Sequence, residues 1–138
     1  MMDHVSIGVA DLARAKAFYD AVLKPLGCAC NYTVDIPGQG VVAHGFGETG
    51  SDHPVFWIGV PERIDAKANA QGGAHFCFVA KNRKAVDAFH AAALKSGGKD
   101  NGKPGLRPQY HENYYGAFAF DPDGNKIEAC CHHPESQA

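Results

Sequence analysis

The chain has 138 residues, enough for one compact domain or two small halves folded together. Its 45% hydrophobic and 20% charged residues exclude a disordered or fibrous protein, and its net charge of −2 leaves no basic face for nucleic acid. No apolar run reaches the ~18 residues of a membrane span, and no basic-then-apolar leader opens the chain, so a soluble, cytoplasmic protein is expected.

In chain order, a short strand is predicted over Asp3 to Val9, followed by a helix N-cap at Asp11. The helix carries apolar residues at Leu12, Ala15, Phe18, Val22, Leu23 and Leu26 and stops at Gly27. Strands follow at Tyr32 to Ile36, Val41 to Phe46 and Pro54 to Val60, separated by Gly- and Pro-rich turns. The pattern then starts again. A strand over Ala74 to Ala80 leads to an N-cap at Asn82 and a helix with Val86, Phe89, Ala93 and Leu94 on one face, ending at Gly97-Gly98. A weak strand near Leu106 to Tyr110 precedes strands at Tyr115 to Asp121 and Asn125 to His132. Asp121-Pro-Asp-Gly-Asn125 joins those two, with proline pre-setting φ and glycine supplying a positive φ for a hairpin.

The second run repeats the first at an offset of 71 residues, the distance from His4 to His75. Without a gap, Ala17, Phe18, Ala21, Leu23, Lys24 and Gly27 fall on Ala88, Phe89, Ala92, Leu94, Lys95 and Gly98, and Asp11 falls on Asn82. The expected organisation is one domain over residues 1–138, made of two βαβββ modules at about 1–65 and 72–134. Neither module is large enough to bury a sufficient core alone.

Strand alternation places His4, Ser6 and Gly8 on one face, His75, Cys77 and Val79 on another, and Lys126, Glu128 and Cys130 on a third. The repeat makes His4 and His75 pseudo-symmetric, so halves closing about a two-fold would aim both imidazoles at its axis. Glu128 sits in the apolar run Ile127-Glu128-Ala129-Cys130, where an unpaired carboxylate would be costly. Two histidines and one carboxylate hold a divalent ion on one side and leave positions open for substrate. Iron(II) fits that ligand set best, with zinc, manganese or nickel as alternatives.

The five cysteines, Cys28, Cys30, Cys77, Cys130 and Cys131, are odd in number and read as reduced thiols. Cys130-Cys131-His132-His133 alternates faces on a strand and cannot turn all four side chains to one ion. Cys77 and Cys130 are expected as small fillers beside the metal faces. His90 is expected in solvent, and His44, His53, His132 and His133 have no assigned partner.

His4-Val-Ser-Ile-Gly-Val with Ala17-Phe18-Tyr19, Gly73-Ala-His75 and Asp121-Pro-Asp-Gly-Asn-Lys-Ile-Glu128 together resemble the vicinal oxygen chelate superfamily. That group includes glyoxalase I, extradiol dioxygenases, fosfomycin-resistance enzymes and bleomycin-binding proteins. The resemblance spans nearly the whole chain. It implies an α+β fold in which two tandem βαβββ modules form a cupped eight-stranded mixed sheet around a central metal site, often in a homodimer. It also implies His4, His75 and Glu128 as the metal ligands. Glyoxalase I type sites carry a second glutamate on the last strand of the first module, where this chain has Trp57. A triad therefore does not match a standard lactoylglutathione lyase. It is closer to the extradiol dioxygenases, with His111 near their acid–base histidine, although Phe118 replaces their tyrosine four residues before the hairpin proline. Thiol transferases that open epoxides share the triad.

Further candidates lie between Arg107 and Tyr115. Glu128 and His111 are candidates for proton transfer, and Tyr115 for a catalytic hydrogen bond. Arg107, Tyr110 and Tyr114, with Trp57 as a pocket floor, are candidates for binding a small-molecule substrate. The expected function is a metal-dependent lyase or isomerase, dioxygenase or thiol transferase. The competing expectation is a metal-free protein of the bleomycin-resistance type that sequesters a small molecule.

Overall fold

In a computed structural model of the chain, residues 1–60 and 74–135 are described. The expected boundary between modules, and Gly73 of the second histidine motif, lie outside the described residues. The first module runs β1 (Val5–Gly8), α1 (Leu12–Leu23) with a 3-10 turn at Lys24–Leu26, β2 (Cys28–Ile36), β3 (Gly40–Glu48) and β4 (Phe56–Gly59). The second runs β5 (Phe76–Val79), α2 (Arg83–Lys95), β6 (Lys99–Leu106), β7 (Tyr115–Phe120) and β8 (Lys126–Cys131). This is the predicted βαβββ order twice.

Both helices start where the capping residues predict. Asp11 accepts from the Arg14 amide at 3.0 Å and Asn82 from the Ala85 amide at 2.9 Å, each satisfying a donor that the first turn leaves unpaired. Gly27 ends the first helical run in the left-handed region at φ 77°.

The strands pair as two four-stranded mixed sheets, ordered β1-β4-β3-β2 and β5-β8-β7-β6. The expected eight-stranded sheet is thus met as two halves, with β1 and β5 each at an edge. In each half the first and last strands pair in parallel, and the register preserves the repeat. Ser6 faces Trp57 in one sheet and Cys77 faces Glu128 in the other, both pairs related by the same offset.

Core and site fall on opposite faces of the second sheet. Phe76 and Phe78 of β5 turn toward the apolar core, where their rings meet Phe56 at 6.2 and 5.1 Å. Phe18, Tyr19, Val22 and Leu23 of α1 and Val86, Phe89 and Ala93 of α2 fill the same core. Side chains of the alternate residues, Cys77 and Glu128 among them, stand on the other face.

The hairpin predicted at residues 121–125 ties the modules together. Asp121, 3% exposed, accepts from the amides of Asp123 and Asn125 within its own turn and from the Tyr19 hydroxyl of α1 at 2.7 Å. Asp123 accepts from the Ala10 amide at 3.0 Å and from Arg14 at 3.1 Å. The turn residues thus both shape the hairpin and anchor it to the other module.

Two expectations are corrected. The strand expected near Leu106 to Tyr110 lies earlier, at Lys99–Leu106, and Arg107 to Tyr110 forms a turn closed by the Tyr110 amide on the Arg107 carbonyl at 3.0 Å. Gly102, Pro104 and Gly105 disguise this strand; an edge strand with shifted register tolerates them. His90 is buried rather than solvated, its Nε2 2.9 Å from Asp100 Oδ1 at the start of β6.

Candidate functional site

Glu128 is the centre of the site. It lies in an apolar strand at 2% exposure, and its carboxylate has two side-chain partners. His75 Nε2 stands 3.0 Å from Oε2, and the Tyr114 hydroxyl donates a short hydrogen bond to Oε1. His75 just precedes β5 and Tyr114 just precedes β7, so both reach Glu128 across neighbouring strands. Gly116 makes room for this contact: a Cβ there would come within 3.1 Å of the Tyr114 ring and 3.2 Å of Glu128 Oε1.

These groups line a cleft of about 370 Å³ formed by His75, Tyr110, Tyr114, Phe118, Lys126 and Glu128, a volume suited to a small molecule. The Tyr110 ring packs edge-on against Tyr114 at 4.9 Å. Phe118 lies beside His75 at 6.0 Å, with the Lys126 ammonium over its ring at 5.1 Å.

Further along the same face, exposed Cys77 and buried Cys130 approach to 3.4 Å between sulfurs. Cys130 Sγ is also 3.5 Å from His132 Nε2, and His132 Nδ1 is 2.8 Å from His111 Nε2. The hydrogen bond donated by Cys77 pulls the Cys130 thiol down to about 6 against the opposing effect of burial, with Tyr114 and His132 adding to it. Donating that hydrogen bond, then burial and the nearby Glu128 carboxylate, push the Cys77 thiol up. Burial and the bond to Glu128 push the Tyr114 hydroxyl up. At neutral pH Cys77 and Tyr114 keep their protons.

The structure brings together only part of the predicted set. His75, Glu128, Tyr114 and Tyr110 meet in the cleft, and His111 borders it, its ring 5.5 Å from Tyr114. His4 is not with them. It is exposed at the start of β1, its Nδ1 2.6 Å from Asp3, and its own Asp3 also faces His53 at 3.7 Å. Among the described residues, the only trio of His, Cys, Asp or Glu whose ligand atoms all lie within 4.8 Å of one another is Cys77, Glu128 and Cys130. Trp57 lines a separate hollow on the first sheet with Ser6, Gly8 and Ala43, its ring 5.7 Å from Tyr32.

Two candidates are corrected. Tyr115 alternates with Gly116 on β7 and therefore points to the helix side, where its hydroxyl donates to Asp87 of α2 at 2.6 Å and Arg83 lies over its ring. Burial and that bond push its hydroxyl up to about 12. Arg107 spends its guanidinium on the Gly105 and Lys103 carbonyls at 2.8 and 2.7 Å, and lies over the Phe118 ring at 5.7 Å rather than lining the cleft. The reading of Cys77 and Cys130 as fillers missed their mutual contact, and His132 has partners that strand alternation could have supplied, since it shares a face with Cys130.

Comparison with known proteins agrees with this architecture. A family model described as Glyoxalase/Bleomycin resistance protein/Dioxygenase superfamily matches residues 1–129, and the chain belongs to that superfamily. A glyoxalase/bleomycin resistance protein from Albidiferax ferrireducens T118 is 33% identical, with a TM-score of 0.76 over 95% of this chain and 98% of that one. A superfamily enzyme from Burkholderia phytofirmans PsJN shares the fold at 17% identity and a TM-score of 0.63, covering 95% and 98% of the two chains. A mutant of glyoxalase I from Zea mays does so at 24% identity and a TM-score of 0.68, over 94% of this chain and 46% of that one. No curated protein matches the chain. No helix among the described residues is long and apolar enough to cross a membrane.

Proposed function

We propose that the chain is a metal-dependent enzyme that takes a small substrate with two neighbouring oxygens, using a divalent ion held by His75, Glu128 and His4. The observation that supports it is the buried Glu128 carboxylate, with an imidazole nitrogen at 3.0 Å and a tyrosine hydroxyl on its other oxygen. One imidazole and one carboxylate fit two of the three ligands. Because His4 stands outside the cleft in its own chain, the third comes from His4 of the partner subunit in a homodimer. A bound ion of this kind supplies Lewis-acid stabilisation to a substrate oxyanion.

The chain's own groups do the rest. Tyr114 fixes one Glu128 oxygen and leaves the other toward His75. Tyr110 and Phe118 wall the cleft with apolar rings, and Lys126 brings a positive charge to its rim, which favours an anionic or enolised substrate. His111, backed by His132, is the group placed to move a proton at the cleft edge. Fe(II) is the preferred ion for an imidazole–carboxylate set.

Elemental analysis of protein purified without chelator and reloaded with Fe(II) under argon tests this reading. About one iron per chain is expected, lost in His75→Ala and Glu128→Ala. No iron under any loading would overturn it in favour of metal-free sequestration, for which the hollow lined by Trp57, Ser6, Gly8 and Ala43 is the place to look.

A further inference from the structure

Beside the imidazole–carboxylate pair, the second sheet carries a different set of donors. Cys77 pairs in register with Glu128, and Cys130 lies two residues further along the same face. The two sulfurs and a Glu128 oxygen lie within 4.8 Å of one another, and the Cys77–Cys130 sulfur separation is 3.4 Å. His132 Nε2 stands 3.5 Å from Cys130 Sγ.

Tetrahedral zinc with bonds to sulfur of about 2.3 Å separates two thiolate sulfurs by about 3.8 Å, within half an ångström of the spacing seen here. Cys77 on β5 and Glu128 and Cys130 on β8 are brought together by the parallel pairing of these two short strands, so the three donors converge without a loop having to fold. The chemistry is unlike that of the first site. Thiolates select borderline and soft ions such as zinc, cobalt(II) and cadmium, while imidazole and carboxylate suit iron and manganese.

We infer that Cys77, Cys130 and Glu128, with His132 as a fourth donor, form a thiolate site for a borderline or soft divalent ion within a single chain. Any proton still held by either thiol passes to the buffer as the ion binds, and no oxidation state changes. The site needs neither His4 nor a second chain, so it stands or falls separately from the proposed function. It shares Glu128 with the imidazole–carboxylate pair, so the two ions compete and a thiol-bound ion displaces the harder one.

Titration of reduced apoprotein with cobalt(II) under argon tests this, read by sulfur-to-metal charge-transfer absorption. The band is expected to saturate near one equivalent. It is lost in Cys77→Ser and in Cys130→Ala, weakened in His132→Ala, and kept in His4→Ala, His75→Ala and a Cys30→Ser control. Cys77 is exposed, so its serine variant leaves the core untouched even where a change at buried Cys130 costs stability. The absence of the band, its survival in Cys77→Ser, or its loss in His4→Ala overturns the inference.

Discussion

If His75 and Glu128 of one chain and His4 of the partner subunit hold one ion, two inactive variants should restore each other. His4→Ala lacks one ligand at both sites of its dimer, and His75→Ala lacks another at both. In a mixed dimer one site loses both histidines, but the other keeps His75 from one chain and His4 from the other. Random reassortment makes half the dimers mixed, each with one intact site, so about a quarter of all sites recover. Manganese(II) is the ion to use, because thiolates hold it poorly and the Cys77–Cys130 pair will not confuse the count. The two variants are unfolded together, refolded and dialysed, and bound manganese is measured by the loss of the free-ion electron paramagnetic resonance signal. The wild type should bind about one ion per chain, each variant alone essentially none, and the mixture about 0.25. A mixture that binds no more than its components refutes the shared site. Full binding by His4→Ala alone refutes any role for His4.

Three other outcomes follow from the same contacts. Tyr19→Phe removes a buried hydroxyl that donates to buried Asp121 at 2.7 Å. Leaving that carboxylate one partner short costs about 1.5–3 kcal/mol, which thermal melting should show as a drop of about 5–10 °C in a chain of this size; a change under about 1 °C would deny the hairpin its anchoring role. Gly116→Ala pushes a methyl group against Tyr114 and Glu128 Oε1, so metal affinity should fall about 10- to 100-fold with little change in Tm, and unchanged affinity would show that the Tyr114–Glu128 contact does not position the carboxylate. Burial, with Lys16 adding to it, holds His44 below its usual value. The unfolded chain therefore takes up this proton first as pH falls, and stability is lost below about 6.5. Between about pH 7.5 and about 5.5 the wild type should lose more Tm than His44→Gln; equal losses would exclude His44 as the source.

The fold was legible because its signals are local and occur twice. Asp11 and Asn82 cap the helices, Gly27 and Gly97 lie where they end, and the offset of 71 residues survives in the strand register. β6 was misplaced because Gly102, Pro104 and Gly105 look like a loop, and only pairing with β7 makes them a strand. At the site, period-2 alternation found the face bearing His75, Cys77, Glu128 and Cys130. The same rule, applied to Tyr115 with Tyr114 as a neighbour, would have separated them, since only one of two adjacent strand-end residues can face Glu128. What alternation cannot give is distance. That Cys77 and Cys130 touch depends on parallel pairing of β5 with β8, and that His4 lies elsewhere depends on how the two modules pack.

The repeat also shows why the two halves do different work. At equivalent positions the first module carries Ser6, Trp57 and Gly59 where the second carries Cys77, Glu128 and Cys130. The second sheet therefore presents donors and the first presents an aromatic wall and small residues, while the histidine before each first strand is kept in both. A metal site drawn only from the second half needs a fourth wall to close it. In the proposed shared site, the partner subunit's His4 supplies the missing ligand and the partner's first sheet the wall. If the thiol pair instead holds its own ion, the second half is complete by itself, and the first is left as the surface against which a substrate packs. Manganese and cobalt, applied to the same His4→Ala protein, separate these two arrangements because each ion reads only one of them.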